Sequence, residues 1–152
     1  MRSVTQRVRE ASVTVDGEVV GAIEAGLLIL LGVERGDTER DAEVLAQKIA
    51  GLRIFASERK PMDRALADIG GAALVVSQFT LAGSVRKGRR PGFERAEDPP
   101  RAEALYLSFV QQLQRIGVPV QTGRFAAHMD VRLLNDGPVT MLIDCRDGSI
   151  IE

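Results

Sequence analysis

Residues Leu27 to Val33 form an apolar run of strand length, with one glycine just before it at Gly26 and another inside it at Gly32. A strand with one wet face alternates apolar and polar side chains, so a run without alternation reads as a strand covered on both faces. Whatever this chain folds into must therefore place a layer above and below that strand. Ala72 to Leu81 reads as a second buried strand of the same kind.

The flanking segments supply the layers. Val4, Val8, Val13 and Val15 precede the turn signal Asp16-Gly17, after which Val19 to Ile23 resumes, the pattern of a β-hairpin. Thr38 offers an N-cap, and Ala42, Leu45, Ala46, Ile49 and Leu52 recur at helical spacing, which predicts a helix to about Leu52. A second helix starts at Pro100, carries the stripe Leu105, Phe109, Val110, Leu113 and Ile116, and stops at Gly117. Val118 to Thr122, Met129 to Leu134 and Val139 to Asp144 read as further strands. About seven strands and two main helices make a mixed α/β domain, too irregular for a Rossmann double winding. The chain of 152 residues fits one domain, 1–152, and the tail 146–152 is expected to be loose.

Composition narrows the function classes. The hydrophobic share of 45% and charged share of 27% are those of a soluble globular protein, and no stretch reaches the roughly 20 apolar residues of a membrane span. The N-terminal residues lack the apolar core of a secretory signal, so a cytoplasmic location is expected. A lone cysteine, Cys145, and a lone histidine, His128, leave neither a disulfide framework nor a His- or Cys-based metal site, and no metal or cofactor is expected.

Three segments carry candidate chemistry. Ser77, Gln78, Phe79 and Thr80 gather two hydroxyls, an amide and an aromatic ring at the end of an apolar strand. Ser77 and Thr80 can equally serve local backbone hydrogen bonds with Phe79 in the core. Nucleophilic catalysis by Ser77 would need His128 as its base, which gives one alternative, a serine hydrolase. Otherwise backbone N–H groups near Gln78 and Phe79 could hold a developing oxyanion. The second segment runs from Arg86 to Phe93, where Arg86, Lys87, Arg89 and Arg90 interleave with Gly88, Pro91 and Gly92. It suits phosphate, and a non-catalytic RNA-binding module is another alternative. The third segment, Gly123 to Met129, holds Phe125 and Met129 four residues apart, a spacing as compatible with core as with a ligand pocket.

A proline stands where a sheet-building chain normally avoids one. Gly137-Pro138 separates two apolar runs, and proline, lacking an N–H, is confined to edges, bulges and special turns, while an X-Pro bond adopts cis at modest cost.

Ser77 to Thr80, Arg86 to Pro91 and Asn135 to Thr140 together resemble the D-aminoacyl-tRNA deacylase family, bacterial D-Tyr-tRNA deacylase type. Arg7, Ala11 to Val15, Asp16 to Val19 and Leu31 to Val33 share the resemblance, which covers residues 1 to about 145 in order. It implies a three-layer α/β/β fold, a homodimer with active sites at its interface, and hydrolysis of the ester that joins a D-amino acid to the terminal adenosine of tRNA. Glycyl-tRNA, being achiral at the amino acid, is an implied second substrate. The partners implied are aminoacyl-tRNA and a second copy of the chain, with no membrane and no DNA. By position, Ser77, Gln78, Phe79 and Thr80 are the implied catalytic residues, and Gly137 and Pro138 a cis gate entering the neighbouring subunit's pocket. Arg7 is the implied support of that gate, Phe125 and Met129 the adenosine pocket, and Arg86, Lys87, Arg89 and Arg90 the tRNA phosphate contacts. The family's chemistry implies a part for the ribose 2′-hydroxyl of the substrate.

Overall fold

In the computed structural model, which describes residues 1–151, one mixed sheet of seven strands is bent so that part of it covers its own face. The strands are β1 (Arg2–Val15), β2 (Glu18–Ile23), β3 (Gly26–Gly32), β4 (Ala72–Ser77), β5 (Val120–Thr122), β6 (Asp130–Arg146) and β7 (Ser149–Ile150). The helices are α1 (Glu39–Ala50) and α2 (Pro99–Ile116). The order β5-β4-β3-β1-β6-β7 is parallel across β3, β4 and β5 and antiparallel elsewhere.

The apolar runs are covered on both faces, as their lack of alternation requires. Leu27, Ile29 and Leu31 of β3 and Ala73 and Val75 of β4 face the helices, joining Leu45 and Ile49 of α1 and Phe109 and Leu113 of α2 in one core. Leu28, Leu74 and Val76 point the opposite way into a second core with Val8, Ala11, Val13, Val15 and Ile23. Each fully buried aliphatic or aromatic side chain contributes about 1.5–3 kcal/mol relative to exposure. The layers are thus helices, the β3-β4 sheet, and the folded-over β1-β2-β6 end, an α/β/β sandwich. Gly21 of β2 permits the close approach of the outer layer, because a Cβ there would lie 2.4 Å from the Thr122 carbonyl oxygen of β5.

β1 connects the two β layers. Its first half pairs with β3, Arg2 to Val8 against Gly32 to Gly26, and its second half pairs with β2 from Ala11 onward. Along its other edge β6 accompanies it from Arg2↔Asp144 to Thr14↔Asp130. Between Val8 and Glu10 the β1 strand holds one residue more than β6, and this bulge brings Ala11, three residues on, to the same face as Val8. Val8 and then Ala11, Val13 and Val15 consequently share the second core.

Local signals explain the element ends. Thr38 caps α1 and forms a capping box with Asp41, each side chain meeting the other's backbone N–H. Gly117, at φ 99°, ends α2 with its N–H on the last-turn carbonyls. Asp16 (φ 49°) and Gly17 (φ 80°) make the hairpin turn.

Three boundaries differ from the sequence reading. β4 ends at Ser77, and residues Phe79–Ala82 form a single 3-10 turn where a strand to Leu81 was expected. Gly32 makes room for this turn: Leu81 and the Gln78 carbonyl pack so closely on it that a Cβ would lie 2.9 and 3.1 Å from them. The two strands expected on either side of Gly137-Pro138 are one strand, β6, with a local excursion. The tail expected to be loose turns back at Asp147-Gly148, and Ser149 and Ile150 pair with Arg146 and Cys145; Glu152 lies outside the described residues.

Candidate active site

The parallel strand β4 points its C-terminal end into a cleft of about 530 Å³. Ser77, Gln78, Phe79 and Thr80 line it, together with Phe125, Ala126, Ala127 and Met129 from the loop after β5 and Ala102 and Tyr106 from α2. The expected catalytic segment and the expected adenosine pocket are therefore brought together, from positions almost fifty residues apart.

The geometry at Ser77 to Thr80 follows from where the sheet stops. The Gln78 N–H still donates to the Leu31 carbonyl at 2.8 Å, so it is occupied by the sheet. Of the backbone N–H groups expected near Gln78 and Phe79 to hold an oxyanion, that of Gln78 is therefore not free. Phe79 and Thr80 are the next two residues, and among the described residues their N–H groups have no hydrogen-bond partner. The Gln78 amide donates to the Thr80 hydroxyl at 3.0 Å, fixing both side chains at the cleft. Phe79 is 59% exposed, which removes the reading of it as a core residue.

Tyr106 is a lining residue that the sequence reading missed. Its hydroxyl is buried and donates to the Val75 carbonyl at 2.9 Å, while its ring stands 6.0 Å from that of Phe125. Burial pushes the phenol up to about 12, partly offset by the Thr122 side chain, so it stays a neutral donor at physiological pH. A lone tyrosine on the buried stripe of a helix was the available signal. Met129 is held by its sulfur, which accepts from the Arg124 N–H at 3.4 Å, and Gly123 leaves it room, since a Cβ there would lie 2.6 Å from that sulfur. Arg35 was missed as well: it joins Asp98 at 3.2 Å and the Glu94 carbonyl at 3.0 Å across the cleft rim.

The structure does not assemble a Ser-His pair within the chain. The His128 side chain is 95% exposed and lies 3.9 Å from Asp130, and it is not part of the cleft lining. The cations Arg86, Lys87, Arg89 and Arg90 are all exposed and form no ion pair among the described residues. They occupy a loop closed at its base by mutual 2.8 Å hydrogen bonds between Ser84 and Gly92. No helix of the described residues is long and apolar enough to cross a membrane.

Gly137 and Pro138 lie elsewhere on the chain, exposed and outside the cleft lining. Between Thr140, paired with Gln6, and Asn135, paired with Val8, β6 has three residues more than β1 and must loop out. The loop is closed by Asn135, which accepts from the Val139 N–H and donates to the Thr140 hydroxyl, both at 3.0 Å. Arg7, opposite it, donates to the Asp136 carbonyl at 2.9 Å and to the Ile54 carbonyl at 2.5 Å. Its guanidinium also lies 3.6 Å from the Asp136 carboxylate. The Gly137-Pro138 bond is cis.

This arrangement, a β4-end cleft with a separate Arg7-supported corner, is carried by a sequence whose residues 4–144 match the D-Tyr-tRNA(Tyr) deacylase family. The chain belongs to that family. A D-aminoacyl-tRNA deacylase of Symbiobacterium thermophilum is 58% identical over 144 residues, 95% of each chain. One of Thermomicrobium roseum is 56% identical over 153 residues, 99% of each chain. Among solved structures, one titled c-Myc DNA unwinding element binding protein superposes with a TM-score of 0.89 at 41% identity, covering 95% of this chain and 98% of the other. A structure described as a probable eukaryotic D-amino acid tRNA deacylase reaches a TM-score of 0.79 at 19% identity, covering 94% and 98%, a likeness of fold.

Proposed function

We propose that this protein hydrolyses the ester of D-aminoacyl-tRNA to free D-amino acid and tRNA, and that it also clears glycyl-tRNA. The observation that carries the reading is the cleft that unites Ser77 to Thr80 with Phe125 and Met129 in a member of a deacylase family. Water adds to the ester carbonyl carbon, the tetrahedral oxyanion forms, and the bond to the ribose 3′-oxygen breaks as that oxygen takes up a proton. The unpartnered N–H groups of Phe79 and Thr80 are the donors aimed at the oxyanion. With no imidazole in the cleft, the ribose 2′-hydroxyl of the substrate orients the water and relays the proton.

Stereoselection is assigned to Gly137 and Pro138 of a second copy, whose carbonyls close the cleft against an L side chain. Support comes from the separation of corner and cleft within one chain, which leaves the gate without a site unless another copy supplies it. β6 favours that pairing. Close to the corner on both sides it exposes the apolar side chains of Leu134, Met141 and Leu142, at 49, 38 and 71% exposure. Arg86, Lys87, Arg89 and Arg90 meet the phosphates, the nucleic acid is RNA, because the 2′-hydroxyl takes part, and the setting is the cytoplasm. The test is release of D-tyrosine and L-tyrosine from charged tRNA. Fast release of the D form alone is expected, and equal rates sink the proposal. Thr80→Ala should keep most activity; an inactive, folded and tRNA-binding Thr80→Ala variant would move the chemistry to the side chain.

A further inference from the structure

Two rings at the cleft have no part in the scheme above. Phe109 and Phe55 are buried at 0 and 6% exposure, whereas Phe79 and Phe93 stand 59 and 37% exposed. Both line the cleft, and their rings meet edge to face with centroids 5.0 Å apart and an interplanar angle of 64°. Aromatic rings left open to water beside a site offer a flat apolar face to a ligand.

The pair is held in place from three sides. Gly83 makes room for it, since a Cβ there would lie 3.0 Å from the Phe93 ring and 2.9 Å from the Thr80 carbonyl oxygen. Behind Phe93 the turn at Glu94-Arg95 and the residues after it, Ala96 and Glu97, are fastened to the loop after β3. The Arg35 N–H donates to the Arg95 carbonyl at 2.8 Å, the Arg35 side chain to the Glu94 carbonyl at 3.0 Å, and the Glu97 N–H to the Val33 carbonyl at 3.0 Å. In front of it the Ser84–Gly92 closure begins the loop that carries Arg86, Lys87, Arg89 and Arg90. Exposed aromatic faces next to a cation-rich loop are the two elements by which proteins hold single-stranded nucleic acid without reading its sequence.

We propose that the Phe79–Phe93 pair is a stacking platform for the unpaired nucleobase that precedes the esterified adenosine. This rests on the aminoacyl-tRNA reading above. Phe125 and Met129 take the terminal adenosine, the basic loop takes phosphate, and the platform lies at the cleft edge next to that loop. Stacking there lengthens the recognised 3′ end by one nucleotide and is tolerant of base identity, because every base has a π face.

The experiment compares kcat/KM for D-tyrosyl-adenosine and for the dinucleotide ester D-tyrosyl-cytidylyl-adenosine. The wild type should gain about tenfold from the added nucleotide, the usual scale of one base stacked on an aromatic ring. Phe93→Leu, which keeps apolar bulk against Gly83, should lose most of that gain, and Phe93→Tyr should restore it. A gain that persists in Phe93→Leu, or no gain in the wild type, overturns the platform. If the wild type cleaves neither ester, the deacylase reading itself has failed. Calorimetry with uncharged cytidylyl-adenosine and adenosine then decides the platform alone: tighter dinucleotide binding that is lost in Phe93→Leu supports it, and equal affinities overturn it. Thermal melting of each variant separates loss of the face from loss of the fold.

Discussion

Replacing Arg7 by Met tests whether one guanidinium holds the Gly137-Pro138 corner in place. Arg7 is only 13% exposed and gives charged hydrogen bonds to the carbonyls of Asp136 and Ile54. A hydrogen bond from a charged donor contributes about 1.5–3 kcal/mol, so two give about 3–6 kcal/mol. The ion pair with Asp136, which is 36% exposed, adds at most about 1 kcal/mol because solvent screens it. Methionine keeps the aliphatic stem, and water reaching the half-buried Asp136 carbonyl recovers part of the loss, leaving a net destabilisation of about 3 kcal/mol. With a urea slope of about 2 kcal/mol per molar, the unfolding midpoint should fall by about 1.5 M at fixed protein concentration. Arg7→Lys should fall between the two, since a point charge on a flexible stem cannot fork between both carbonyls. A midpoint for Arg7→Met within about 0.2 M of wild type would refute the claim that this side chain anchors the corner.

Three further outcomes can be checked. Burial alone would push the Asp41 carboxyl up, but hydrogen bonds from the N–H groups of Gly148 and Thr38 and from the Thr38 hydroxyl outweigh it and hold it below the usual value. Its stabilising effect is therefore full above the unfolded value near pH 4 and lost as the pH falls through the lower folded value. Asp41→Asn should lower the melting temperature at pH 7 and flatten its decline below pH 4. The Cys145 thiol, pushed up to about 11 by burial and by the neighbouring Asp41 carboxylate, should resist a thiol-specific reagent at pH 8 in the native protein and react once unfolded in urea. Neutralising Arg89 and Arg90 together as Gln should reduce the slope of log tRNA affinity against log salt by about 1.5–2, with melting temperature unchanged.

Much of this fold is legible because its local signals and its packing agree. Thr38, Gly117 and Asp16-Gly17 end their elements as capping and turn chemistry dictate, and the unbroken run after Gly26 is buried on both faces. The differences arise where distant residues decide. Phe79 and Leu81 read as a continuing strand, but Leu81 turns onto the room that Gly32 leaves, and Phe79 stays in the open. Pro138 reads as a break between two strands, whereas β6 resumes its pairing on both sides of the excursion, with Gln6 and Val8 of β1, after a register shift of three residues. Of the cleft, Ser77 to Thr80, Phe125 and Met129 were identifiable through family resemblance. Phe93 and Arg35 were not, and Tyr106 offered only its place on a buried helix stripe, since their parts depend on which chain segments meet at the end of β4.

The bulge after Val8 sets a limit on how this protein can change. Because it places Val8 on the same face as Ala11, three residues on, simple alternation fails between them, and only the extra residue keeps Val8, Ala11, Val13 and Val15 in one core. Deleting that residue would turn Ala11, Val13 and Val15 out to water together, while the half bearing Arg7 kept its orientation. The length of β1 between Arg7 and Ala11 is thus as constrained as any catalytic side chain, although Arg9 and Glu10 are exposed and their chemical identities look free to vary.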